Sequence, residues 1–196
     1  MLREPSSPFV SSRAPWRSCA AGLLLLMLAL AGTPQQAVAG SADRADSRDV
    51  KAVFLVNFLS FADWPSGKLA PAPARLVIAV LGDPSFAAVV EKAAAGHNVG
   101  GRPIGVQAVD SPEQAAGAHL VFIAASQGRR LPAVLRALSD ATVLTVSDTD
   151  GFAQEGVAIN LYTLDNRVRI EVNSTAAARA GVHLSANLMR LARIVE

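Results

Sequence analysis

The run Arg75 to Leu81 (RLVIAVL) places six apolar residues in a row behind one arginine. A strand with one wet face alternates apolar and polar residues; a continuous run must be covered on both faces, which is the pattern of a parallel sheet with helices on either side. The run ends in Gly82-Asp83-Pro84, a turn into a helix reaching about Ala95. The same sentence of strand and helix then recurs. Ile104 to Val109 is a weaker strand, and Ser111-Pro112-Glu113 starts a helix with a capping residue and proline at its first position. Leu120 to Ala124 is a strand, Leu131 to Leu138 a helix and Thr142 to Val146 a strand. Four alternations of this kind predict an α/β fold with a mainly parallel sheet flanked by helices.

The C-terminal part departs from the alternation. With Asp165-Asn166 as a two-residue turn, Ile159 opposes Val172, Leu161 opposes Ile170 and Thr163 opposes Val168, while Asn160 meets Glu171 and Tyr162 meets Arg169. Apolar meets apolar and polar meets polar, as a β-hairpin requires. Its second face, with Tyr162, Arg169 and Glu171, is expected to be wet or to meet a partner. Two short helices follow: Asn173 caps one that Gly181 ends, and Ser185 caps the last, with Leu184, Leu188, Leu191 and Val195 as its core stripe.

Upstream of the sheet, Asp49 is placed to cap a helix running to about Ala62 and stopped by Trp64-Pro65. Val50, Val53, Phe54, Asn57, Phe58 and Phe61 form one stripe, but Leu55, Val56 and Leu59 fall outside it. A helix apolar nearly all round must be covered on more than one side, by its own domain or by a second subunit or partner. Gly40 to Arg48 (GSADRADSR) is small and polar and reads as a flexible leader into the domain, which spans 49–196.

Residues 1–39 read as a signal peptide. Arg13 and Arg17 precede the apolar run Ala20 to Leu30, and Ala37-Val38-Ala39 fits the cleavage rule, so the mature chain is expected to begin at Gly40 in the periplasm. The run is short for a membrane span, and no stop-transfer pattern follows. Arg3, Arg13 and Arg17 against Glu4 account for the whole precursor's +2. From Gly40 onward the chain carries 15 basic and 15 acidic side chains, and this balance argues against nucleic acid as a partner. The only cysteine, Cys19, leaves with the leader, so the domain must hold by its core.

Catalytic patterns are weak. Ser126, in Ala124-Ala125-Ser126-Gln127-Gly128, sits where a nucleophile elbow would lie, and Asp148 and His183 follow in hydrolase order. No oxyanion segment precedes it, and a helix-capping serine explains it better. Asp148-Thr149-Asp150-Gly151 fails the calcium-loop spacing, which puts Val146 first and Val157 twelfth. His97, His119 and His183 stand alone, without zinc spacing, and no metal or cofactor is expected. Gly82 and Asp83 end a parallel strand, where open α/β sheets bind ligands, so a small-molecule-binding protein using that crevice is an alternative.

Taken in order, these elements carry a family resemblance. They are the aromatic helix with Asn57, Phe58 and Phe61, the Trp64-Pro65 stop, Ile78 to Gly82, and Val143 to Asp148. Gly151-Phe152-Ala153, Gly156, Ile159-Asn160, Arg167 to Asn173 and Leu184 through Ala192 complete them. The chain from the first helix onward resembles the YfiR/HmsC-like family of periplasmic proteins. The resemblance implies a non-enzymatic repressor that binds the periplasmic sensor region of an inner-membrane diguanylate cyclase, and so controls cyclic-di-GMP and biofilm output. It also implies that the working surface is an interface. Phe54 and Phe58 on the first helix, and Tyr162, Arg169 and Glu171 on the hairpin, are its candidate residues, with Asn187, Arg190 and Arg193 behind them. The over-apolar first helix leaves a homodimer as a further way of covering that surface. The mature chain lacks the cysteines of some family members, so thiol control is not implied here.

Overall fold

The apolar run becomes strand β2 (Leu76–Leu81), near the middle of an eight-stranded sheet. The computed structural model describes residues 39–65, 67–69 and 74–196, with side chains from 47 onward. The expected leader, with its apolar run and cleavage site, lies outside the described residues. The chain divides into two units, 1–41 and 42–196, and the description that follows concerns the second.

In chain order the elements are α1 (Ala39–Phe61), β1 (Ala62–Asp63), β2, α2 (Pro84–Ala94), β3 (Asn98–Val99), β4 (Arg102–Val109), α3 (Pro112–Ala115) and β5 (Leu120–Ile123). A 3-10 turn at Ala125–Arg130 leads to α4 (Leu131–Ala137), β6 (Leu144–Ser147), β7 (Ile159–Leu164) and β8 (Arg167–Asn173). The chain continues with α5 (Ser174–Arg179), β9 (His183–Leu184), α6 (Ala186–Leu191) and β10 (Arg193–Val195). The sheet order is β10-β8-β7-β6-β5-β2-β4-β3. Neighbours from β7 through β4 pair parallel, β7 with β8 and β3 with β4 antiparallel, and β10 with β8 parallel. A two-stranded sheet of β1 and β9 stands apart.

The double burial expected of β2 has two separate causes. Ile78, Val80, Leu120, Phe122, Leu144 and Val146 face α1 and α2 in one core. Ala79, Leu81, Val121 and Ile123 face Leu131, Val134, Leu138, Phe152 and Val157 in the other. The β7–β8 hairpin has the expected register at every rung, Ile159 with Val172 through Thr163 with Val168. Asp165 and Asn166 both adopt left-handed φ, 50° and 56°, as a two-residue turn matched to strand twist demands. Asn173 and Ser185 cap α5 and α6 by accepting from the Ala176 and Leu188 N–H groups.

Three expectations are corrected. First, α1 does not begin at Asp49: its backbone is helical from Ala39, through the stretch expected as a leader. Arg48 in that stretch is tied to Asp83 at 3.1 Å and stacks on Phe86, and Lys51 is tied to Asp148 at 2.8 Å. Second, Phe58, expected among the contact residues, is core: the inward face of α1 is Ala52, Leu55, Val56, Phe58 and Leu59, while Val50 and Val53 remain 45% and 51% exposed. Both stripes are apolar, so the periodic pattern cannot choose between them. Third, the last helix is shorter than expected. Leu188 is buried, but Leu191 is 75% exposed, and Arg193–Val195 leaves the helix to pair with β8.

Candidate functional site

At the end of β2, Gly82 adopts a left-handed φ of 84°, and a Cβ there would collide with Ser126 and Gln127. Ser126 Oγ donates to the Gly82 carbonyl at 2.9 Å, and Gln127 Nε2 donates to Ser126 Oγ at 3.3 Å. Asp83 Oδ1 accepts from the Phe86 N–H at 2.9 Å, capping α2, and from Ser85 Oγ at 2.7 Å. Partial burial pushes the Asp83 carboxyl upward, but hydrogen bonds from Ser85, Arg48 and Phe86 and the Arg48 charge outweigh it and hold the pKa below its usual value. Of the two residues expected to border a crevice, Gly82 is thus covered by Ser126 and Gln127 and Asp83 is engaged as the cap of α2.

The hydrolase set is not assembled. Ser126 is spent on Gly82, the Asp148 carboxylate on Lys51, and His183 sits in the β1–β9 sheet opposite Asp63. No hydrogen bond joins any two of the three. Among the described residues no group of three His, Cys, Asp or Glu side chains is placed to hold a metal ion.

On the hairpin the expected wet face divides in two. Tyr162 is half-buried and Arg169 exposed, but Glu171 is only 2% exposed. The loop after β6 covers it from one side and β10 from the other. Its Oε1 accepts from Gln154 Nε2 at 3.2 Å and from Arg193 Nε at 3.0 Å, with a second Arg193 contact through Nη2. Arg193 also lies over the Tyr162 ring, 4.9 Å from its centre. Glu171 is therefore an internal anchor for β10. Beside it in register, Asn160 is buried with neither amide atom hydrogen-bonded among the described residues.

The first helix divides likewise. Phe58 is core, 6.0 Å from Phe54 between ring centres, whereas Phe54 keeps part of its surface. Val50, Phe54 and Ser47 form one wall of a groove of about 420 Å³ whose other wall is the hairpin tip: Thr163, Asn166, Arg167 and Val168. A second, shallower groove of about 290 Å³ on the helix is lined by Asp49, Val50, Val53, Phe54 and Asn57. Leu164 at the tip is half exposed. The structure thus brings Phe54 to an open surface with Val50, Val53 and Arg167, none of which the sequence singled out as contact residues. Arg169 and Tyr162 lie on the hairpin face opposite Thr163 and Val168, and alternation assigns Arg167 to the Arg169 face as well. What could have marked the valines is their spacing with Asn57 along the helix.

Among the described residues no helix is long and apolar enough to cross a membrane. Two solved structures resemble the fold. A conserved domain protein from Vibrio cholerae shares 12% identity at a TM-score of 0.54, covering 76% of this chain and 60% of that one. The ABC domain from Streptococcus pneumonia, solved in complex with L-Trp, shares 12% identity at a TM-score of 0.49, covering 74% and 60%. The chain thus spans 60% of the length of each. At such identity the likeness of the first is one of fold alone. The sequence pattern described as YfiR/HmsC-like matches residues 48–193, from the arginine that ties α1 to Asp83 through the arginine that ties β10 to Glu171, and the chain belongs to the YfiR/HmsC-like family.

Proposed function

We propose that this protein is a periplasmic repressor, exported by its leader, that binds the periplasmic sensor region of an inner-membrane diguanylate cyclase and lowers cyclic-di-GMP and biofilm output. Membership of the YfiR/HmsC-like family supports the broader statement, a periplasmic regulator of diguanylate cyclases. The observation that carries the finer one is the open apolar surface of α1 beside the hairpin tip. Such a molecule acts by contact. A bound repressor changes the cyclase only through its preference for the inactive state, and moving a two-state equilibrium from 1:99 to 99:1 takes about 5.5 kcal/mol of differential affinity.

Deleting the gene is expected to raise cyclic-di-GMP, and restoring the wild-type protein to lower it again. Val53→Asp, at an exposed position that leaves the core untouched, is expected to reach the periplasm and fail to restore. Cyclic-di-GMP unchanged by the deletion would refute the repressor reading.

A further inference from the structure

Strand β4 is paired along its length on one side only. Ile104 to Val109 meet Leu76 to Leu81 of β2, whereas on the outer side β3 takes Arg102 and Pro103 and goes no further. At the far end the Gln114 side chain accepts the Asp110 N–H at 3.0 Å. Between these two stops the outer edge has no strand partner among the described residues. In strand geometry, Ile104 to Val109 present a ladder about 20 Å long. Sheet edges are ordinarily blunted by charge, proline or a bulge. The run Ile104-Gly105-Val106-Gln107-Ala108-Val109 holds neither a charged side chain nor a proline.

A groove follows this edge. Ile104 and Val106 pack into the core that α2 shares, while Gly105 turns to the other face of the sheet, where a Cβ would lie 2.7 Å from the Arg75 side chain. Ala94 at the end of α2, with Ala95 and His97 beyond it, and Arg75 from the opposite face wall a groove of about 410 Å³ over Pro103 to Val106. A strand slot needs these two parts: an unspent ladder for the main chain and a recess for alternate side chains. We propose that the outer edge of β4 and this groove dock an extended, uncharged segment of a partner protein, apolar at alternate positions, which joins the sheet as a further strand.

A second copy of this chain does not fit. In a two-fold antiparallel pair of β4 strands centred on Val106, Val109 and Asp110 of one copy would fall opposite Pro103 and Arg102 of the other, where β3 already sits. Moving the centre to Ala108 sets Pro112, the first residue of α3, opposite Ile104, and a helix cannot extend the ladder. The edge is also one strand deep and about 20 Å long, far short of the about 800 Å² per partner that a stable dimer buries. A peptide segment brings no body to collide, and it gains its affinity from main-chain hydrogen bonds.

The test uses protein purified from the periplasm and a labelled peptide of about seven residues that alternates valine and threonine. Two further versions carry N-methyl groups on alternate backbone nitrogens, one version for each edge of the peptide, with side chains unchanged. In fluorescence anisotropy one methylated version is expected to bind as the unmodified peptide does. The other should bind about a hundredfold more weakly, the scale of three lost hydrogen bonds. Ala108→Lys, a charge at an exposed position of the edge, should weaken binding with circular dichroism unchanged. In the free protein, alternate amides between Ile104 and Val109 should exchange rapidly with solvent. Peptide at about 100 times its dissociation constant should slow them about a hundredfold. No binding of the unmodified peptide, or equal binding of the two methylated versions, overturns the proposal. So does an edge already protected from exchange in the free protein, because the chain then covers it with a segment of its own. A dimer in light scattering that Ala108→Lys dissolves overturns it as well, because the edge is then taken by a second copy. The slot does not rest on the repressor reading: cyclic-di-GMP unchanged by the gene deletion removes that reading alone, and a failed peptide experiment removes the slot alone.

Discussion

His119 stands just before β5, where its ring takes the part of a backbone carbonyl. Nδ1 accepts the Val77 N–H at 3.1 Å, while the His119 N–H donates to the Val77 carbonyl at 2.9 Å. The ring meets Trp64 edge-on, 5.8 Å between centres, and the charged groups facing it are Lys68 from the connector and Arg102 from β4. Only a neutral imidazole can accept at Nδ1. Burial first, then Lys68 and Arg102, push its pKa below the ordinary value. The unfolded chain therefore takes up the proton before the folded one does. Stability should be complete above about pH 6.5 and fall as pH drops through that value toward the lower folded pKa. Melting followed by circular dichroism from acid to neutral pH checks this, and His119→Gln should flatten the slope. A slope unchanged in the variant would assign the acid sensitivity elsewhere. The sequence showed this histidine to be isolated from metal spacing, but its partner is forty-two positions away in another strand. Nothing local to His119 announces that pairing. Glu171 taught the reverse lesson: alternation placed it on the outer face correctly, and alternation alone cannot see β10 and a loop closing over that face.

Elements were legible in proportion to how local their causes are. The hairpin could be read rung by rung because a period of two admits only one register once the turn is fixed, and Asp165-Asn166 tolerates the left-handed turn. Strand β2 declared its double burial by having no polar position to offer. Helix α1 is the counter-example. Its apolar side chains surround it, so the stripe through Val50 and Val53 competes on equal terms with the one through Leu55 and Leu59, and the sheet decides. The two faces should respond differently to truncation. Leu55→Ala, at a site with no exposure, is expected to cost about 2–5 kcal/mol in urea unfolding. Val53→Ala should stay within about 0.5 kcal/mol, its effect falling on binding instead. Comparable losses at both positions would mean that the outward stripe is covered within the monomer. The last helix shows the same limit. Leu184, Leu188, Leu191 and Val195 keep helical spacing, yet Ile194 and Val195 gain strand partners in β8 that no local pattern reveals.

For the whole molecule, alternation of strand and helix specified an α/β sheet and left its edges open. Ser126 and Gln127 close over Gly82 at the end of β2, and the apolar surplus is presented on a helix fastened at Arg48 and Lys51. Strand β10 carries a different consequence. A sheet edge is a template, a row of unspent N–H and C=O groups on which a foreign strand can grow. Along β8 that template is masked by three residues, Arg193 to Val195, clamped by a single buried carboxylate at Glu171. Removing residues 193–196 should bare the edge and leave the Glu171 charge stranded beside it. The shortened protein is expected to form oligomers that scatter light and grow with concentration, while the full chain does not. If it remains dispersed, β10 is ornament and β8 guards itself. Otherwise β10 is a stopper against runaway strand addition.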